Sequence, residues 1–281
     1  MTASPVPPRT PAVLLEAALR ADPARALLTY YDDATAERTE LSVMTFANWV
    51  AKTANLCRDE LGLDVGATVA IDLPLHWQAA VWWQACWAGG LVPSVPTVPT
   101  PVRAGAAAAA TTARAYDVAV VAVGADHPAP LADAVVGLGL GPMGLPVPGR
   151  PTPPEVTLDY DREVHGHGDR FTPPRLEPGS PAVTLGAQTL TAAELGGAVA
   201  DAVARWGLTP ADRVLTTMPF GPLPSLLGGL LGPLASGAGA VLCANLDRID
   251  AAALARRVDQ EAVTRVTPGA RFSGSQVRPL D

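Results

Sequence analysis

Apolar residues recur at three- and four-residue steps along residues 45–61, placing Phe46, Trp49, Val50, Ala54, Cys57 and Leu61 on one stripe. That period predicts an amphipathic helix starting near Thr45 and stopping at Gly62. Ahead of it, ALLTYY over 26–31 reads as a strand, DDATAER as a turn, and Leu41-Ser42 as the end of a second strand that opens the helix. Beyond it, ATVAIDL over 67–73 is a short strand halted by Pro74, followed by a tryptophan-rich helix over about 76–88 and a strand opening at Leu91-Val92. Within 13–28 the apolar run is interrupted by Glu16 and Arg20, which predicts a short amphipathic helix and not a leader segment.

The same order returns in the second half. Leu190-Thr191 precedes a helix through Trp206, Gly207-Leu208 precedes a strand over 211–218, and Pro219 ends it. Setting Gly62-Leu63 on Gly207-Leu208 puts Val69 on Val214 and Pro74 on Pro219 without a gap, because both glycine-to-proline separations are 12 residues. A repeat this long predicts duplicated α/β units with parallel strands more than a solenoid. The expected fold is α/β, with two similar subdomains whose largely parallel sheets are flanked by helices. The first subdomain is expected over 1–175, including a surface connection over about 127–175 where Pro and Gly are dense and periodicity fades, and the second over 176–281.

Residues 73–102 and 214–245 contain no Asp, Glu, Lys or Arg. Their length would permit a membrane span. The second contains Pro219, Pro222, Pro224 and Pro233 and occupies the same place in the repeat as the first, so no span is expected.

Composition narrows the function classes. Hydrophobic residues make up 48% and charged residues 17%, the balance of a globular protein. A net charge of −7 argues against nucleic acid as a partner. Cys57, Cys86 and Cys243 lie far apart with no C-x-x-C, so neither a disulfide framework nor a zinc knuckle is expected, and a cytoplasmic location fits.

Few residues point to chemistry. His165-Gly166-His167, with Asp161, Glu163 and Asp169 nearby, lacks metal-ligand spacing and reads as a solvated loop. Trp77, Trp82, Trp83 and Trp87 could stack on a planar ligand, yet Trp83 and Trp87 at i, i+4 are expected to share a core. His76 is expected to cap its helix at the solvent boundary. There is no G-x-S-x-G, no G-x-G-x-x-G set between a strand and a helix and no G-x-x-x-x-G-K-[ST]. Gly274-Ser275 lacks the strand-turn-helix setting of a nucleophile elbow.

TYYDDATAERTELSVMTFANWVAKTANLCRDELGLDVGATVAIDLPLHWQAAVWWQACWAGGLVPSVP resembles the opening of AMP-forming adenylating enzymes, the acyl- and aryl-CoA ligases and adenylation domains. GLTPADRVLTTMPFGPLPSLLGGLLGPLASGAGAVLC with DRIDAAALARRVDQEAVTRVTP resembles the region those enzymes carry just after their ATP loop. The resemblance implies the family's N-terminal domain, which is built from two similar α/β subdomains.

The chain departs from the family where the phosphate loop, rich in Ser, Thr and Gly and ending Pro-Lys-Gly, should lie. Gly186-Ala187-Gln188 stands there, with too few donors to cradle a triphosphate. Phe220-Gly221-Pro222 replaces the family's aromatic and histidine after Met218-Pro219. The acidic ribose holder and the C-terminal lid domain with its catalytic lysine have no counterpart, and Lys52, the only lysine, lies in a helix.

The expectation is therefore a truncated, non-adenylating relative, a binding module for a small carboxylic acid or acyl ligand or for a protein. It has no catalytic, cofactor-binding or metal residues, and Phe220 and Gly221 form a pocket edge. The alternatives are an acyl-CoA-ligase-type enzyme using ATP and Mg²⁺ in an atypical or partner-completed site, and a regulatory subunit that joins a full-length ligase through the uncharged Pro-Gly segments.

Overall fold

The computed structural model describes residues 10–96, 115–124, 131–267 and 277–280. After helix α1 (Pro11–Ala21), strands β1 (Ala26–Asp32) and β2 (Glu37–Ser42) form a hairpin that runs directly into helix α2 (Val43–Asp59). Ser42 fixes that start, its hydroxyl accepting from the Thr45 N–H. Strand β3 (Thr68–Asp72), helix α3 (Trp77–Gly89) and strand β4 (Val92–Ser94) complete the unit.

Three parallel strands follow: β5 (Tyr116–Ala122), β6 (Ala132–Leu138) and the short β7 (Leu158–Asp159), which leads into the single-turn helix α4 (Tyr160–Glu163).

The second unit repeats the first. Hairpin β8 (Pro181–Leu185) and β9 (Gln188–Thr191) feeds helix α5 (Ala192–Trp206), then strand β10 (Arg213–Thr216), helix α6 (Leu223–Leu226), a π-helical turn (Leu227–Leu231), helix α7 (Gly232–Ser236) and strand β11 (Gly239–Ala244). Thr191 caps α5 as Ser42 caps α2, and adds a full capping box with Glu194. Helix α8 (Ala251–Gln260) and strands β12 (Arg265–Val266) and β13 (Arg278–Pro279) close the described chain.

The fold is two largely parallel sheets flanked by helices. One sheet is ordered β13-β12-β10-β11-β1-β2 and the other β7-β6-β5-β3-β4-β8-β9. Each therefore contains one five-strand order, β12-β10-β11-β1-β2 in the first and β5-β3-β4-β8-β9 in the second. The hairpin of each unit pairs in parallel with the last strand of the other, Tyr30 opposite Leu242 and Thr184 opposite Ser94. Both hairpins slip register at the same place, between Ala26 and Leu28 and between Pro181 and Val183. The units have exchanged their hairpins, so each sheet draws strands from both sides of residues 175/176.

One expectation is corrected. The stretch 127–175, of which 127–130 lie outside the described residues, is not wholly a surface connection. It supplies β6, β7 and α4, and it buries Val136, Leu138, Tyr160 and Val164. Strand β6, ADAVVGL, lies between two parallel neighbours and lacks the alternation that marks a half-exposed strand, so its period carried no signal. Among the described residues of that stretch, 145–157 and 167–175 are loop and mostly exposed or half-buried.

The helices of the uncharged stretches pack inward. Helix α3 is buried on every side, and α6 through α7 line the core. No helix among the described residues is long and apolar enough to cross a membrane.

Candidate functional site

Parallel strands end together at one rim, and crevices at such carboxyl ends are where open α/β sheets bind ligands. A cleft of about 470 Å³ opens there, lined by Asp72, Leu73 and Pro74 after β3, Ala122, Val123 and Gly124 after β5, and Pro219 after β10. Pro74 and Pro219 hold equal places in the two repeats, so the cleft lies where the duplicated units face each other. Its lining is apolar except for Asp72.

Phe220 and Gly221 continue from Pro219 into packing. Phe220 is buried, its ring against the spot where Gly229 leaves no room for a side chain. A Cβ on Gly221 would come within 2.5 Å of Val95 Cγ2, beyond the end of β4. These two residues join the sheets beside the cleft, and Pro219 is the one of the three that lines it.

The β8–β9 connection is a tight hairpin. Leu185 pairs with Gln188, leaving Gly186 and Ala187 as a two-residue turn, and Gly186 takes φ +62°, a value that favours glycine. Thr184 and Thr189 hydroxyls bond across it at 3.0 Å. Two residues cannot form a nest of amides around several phosphates.

The other sequence candidates separate. Lys52 donates to the His167 carbonyl at 2.6 Å and pairs with Asp169 at 2.8 Å, tying α2 to the 167–169 segment. Exposed His165 meets the Gly144 carbonyl at 3.2 Å and the Trp49 ring. No group of three His, Cys, Asp or Glu side chains among the described residues could hold a metal. Cys57, Cys86 and Cys243 are buried free thiols, and burial pushes Cys57 up to about 12. Gly274-Ser275 lies outside the described residues.

His76 corrects the expected solvent boundary. Its Nδ1 does cap α3, accepting from the Gln78 N–H at 3.2 Å, but the residue is only 2% exposed. Tyr30, on a strand of the other sheet, covers it edge-on at 4.6 Å. Burial lowers its pKa to about 3, only partly offset by Asp32, so the imidazole is neutral near pH 7. The tryptophans of α3 are core residues, with Trp83 against Trp87 at 5.8 Å.

A charged cluster is present that the sequence did not reveal. Fully buried Asp161 accepts from the Gly139 N–H at 2.7 Å and from Arg150 at 3.2 Å, and Arg150 also reaches Asp159 at 3.5 Å. Burial raises the Asp161 pKa against those two donors. Arg150 closes the Pro/Gly loop onto β6 and α4, which is structural work; no spacing in GPMGLPVPGRPTPP announces it.

No family model matches the chain. A protein of Mycobacterium tuberculosis described as a TIGR03089 family protein is 40% identical over 253 residues, taking in 90% of this chain and 96% of that relative. Identity of that extent, running through both repeats, shows that the chain belongs to the TIGR03089 family.

Proposed function

We propose that this chain is a relative of the AMP-forming adenylating enzymes that keeps their duplicated α/β scaffold without the triphosphate grip, and that it binds a small carboxylic acid or acyl-type molecule without activating it. The observation that carries the reading is the β8–β9 turn. The resemblance puts the phosphate loop between those strands, and two residues, Gly186 and Ala187, connect them. Adenylation depends on preorganised positive charge and backbone donors around the leaving pyrophosphate, and Lys52, the only lysine, is engaged elsewhere.

The cleft beside Pro219 supports a binding role. Its volume of about 470 Å³ lies within the range of small-molecule sites, and its lining is apolar with one carboxylate, Asp72. Such a lining suits the body of an acyl group more than a polyphosphate.

Calorimetric titration with ATP and Mg²⁺, followed by a pyrophosphate-release assay across a panel of carboxylic acids, tests the reading. The expected result is no nucleotide heat and no pyrophosphate, with saturable binding of one acid class that Ala122→Trp abolishes by filling the cleft. Tight nucleotide binding with pyrophosphate release would overturn it in favour of a ligase. Silence toward every acid would remove its binding half.

A further inference from the structure

A sheet accepts another chain at its edge strands, because their outer N–H and C=O groups lack a ladder partner. In the six-stranded sheet β12 would be such an edge if residues 277–280 did not lie along it. Strand β13 pairs with β12 in parallel, Arg278 opposite Arg265 and Pro279 opposite Val266. The Arg278 N–H donates to the Thr264 carbonyl at 3.0 Å and the Leu280 N–H to the Val266 carbonyl at 2.9 Å. Pro279 falls between them, where the nitrogen faces away from β12, and its ring carries no N–H to offer a further strand.

The segment is held as a short peptide ligand is held. Leu280 is 1% exposed and enters a socket beside Gly228 of the π-helical turn, where a Cβ would stand 3.4 Å from Leu280 Cδ1 and 2.6 Å from Thr267 Cγ2. The glycine leaves the room that the leucine fills. The Thr267 hydroxyl already donates to that of Thr216 at 3.0 Å, so the socket asks for an apolar side chain. Val277, half-buried, packs against the cluster that contains Leu215, Val258 and Val266, while Arg278 and Pro279 between the two anchors are exposed. Main-chain bonds along an edge, with a pocket for a side chain, are how sheets bind extended peptides.

We infer that the β12 edge and the Gly228 socket form a binding site for an extended peptide with a leucine-sized apolar anchor, and that residues 277–280 fill it as a built-in ligand which another such peptide displaces. The strand-end cleft plays no part in this site, so the inference is independent of the proposed function.

The test is fluorescence anisotropy of a labelled peptide with the sequence of residues 275–281, SQVRPLD, titrated with the full chain. Leu280→Asp in the protein empties the socket, since a carboxylate stays out of an apolar site. The expected result is saturable binding to that variant, at least roughly 10-fold tighter than to the unaltered chain, where the built-in segment competes at high effective concentration. Two altered peptides probe the mode of binding. Leu280→Ala removes the anchor and should weaken binding roughly 10- to 100-fold. Methylation of the Leu280 nitrogen removes the donor to Val266 and should weaken it roughly 3- to 10-fold.

No saturable binding to a Leu280→Asp protein that melts cooperatively, equal affinity of the two proteins, or equal binding by the N-methylated peptide would overturn the inference. Should Leu280→Asp not fold, native-state hydrogen exchange of the unaltered chain decides. The Arg278 and Leu280 amides should then open on their own, exchanging at least roughly 100-fold faster than those of β10. Opening only together with β10 would overturn the inference, because a segment that leaves only on unfolding cannot be displaced.

Discussion

The helical segments that follow β3 and β10 occupy the same place in the two repeats and fill it in opposite ways. Helix α3 runs unbroken for 13 residues and packs by bulk, with Trp77, Trp82 and Trp83 wholly buried. Its counterpart, α6 through α7, has no aromatic residue and is interrupted by the π-helical turn that contains Gly228 and Gly229. There the backbone itself closes the space. A Cβ on Gly228 would stand 2.6 Å from Thr267 Cγ2, and one on Gly229 3.0 Å from the Phe220 ring. One topology is thus satisfied by large aromatic side chains on a regular helix in one unit and by a bulged helix of leucines and closely packed glycines in the other. The second solution ends the strand rim at Pro219 and Phe220, beside the cleft.

If bulk holds the first unit, Trp83→Ala should give the largest loss, about 3–5 kcal/mol, read as a drop in the chemical-denaturation midpoint. Close approach in the second unit predicts the reverse error. Gly228→Ala, adding one methyl against Thr267, should cost about 1–3 kcal/mol, whereas adding a methyl at half-buried Gly197 of α5, where nothing lies within 4 Å, should stabilise or leave the protein unchanged. Equal effects at the two glycines would break the comparison.

His76, which starts α3, adds a pH dependence above the carboxylate range, and the second unit has no histidine to match it. The native imidazole stays neutral to about pH 3, while the unfolded one takes a proton near 6.5. Its contribution is therefore complete above pH 6.5 and is lost as pH falls from 6.5 toward 3, at about 1.4 kcal/mol per pH unit. His76→Asn retains a capping side chain and should remove about one proton from the slope of stability against pH between 6 and 4.5.

The smallest expected difference lies at the helix starts. Thr191→Ala removes a reciprocal capping box and Ser42→Ala a single bond, so both should cost about 1 kcal/mol with the threonine change the larger. Thermal melts of the two variants compare them directly.

The order of elements within each unit was legible because period 2 and period 3.6 alternate cleanly around Ser42 and Thr191, and the matched separations from Gly62 to Pro74 and Gly207 to Pro219 revealed the duplication. The exchange of hairpins was not. A parallel pairing such as Tyr30 with Leu242 leaves no trace in local periodicity, since either unit's hairpin carries the same pattern. The same blindness hid the burial of His76, because Tyr30 arrives from the other sheet, and the role of Arg150, whose carboxylate partners Asp159 and Asp161 lie across a loop without period. At the candidate site the sequence brought out Pro219 and its neighbours Phe220 and Gly221. The residues that complete the cleft, Ala122 to Gly124, end a strand that is adjacent only through the sheet order.

The reciprocal exchange is the claim on which the placement of the cleft rests, and native-state hydrogen exchange tests it most directly. Each sheet needs a hairpin from the other half of the chain, so the amides of β1, β11, β4 and β8 should exchange through one common opening with the same free energy and denaturant dependence. Protection of β3 and β5 that survives after β8 and β9 have opened together with β10 and β11 would mean that residues before and after 175 form separate units, and would contradict the account.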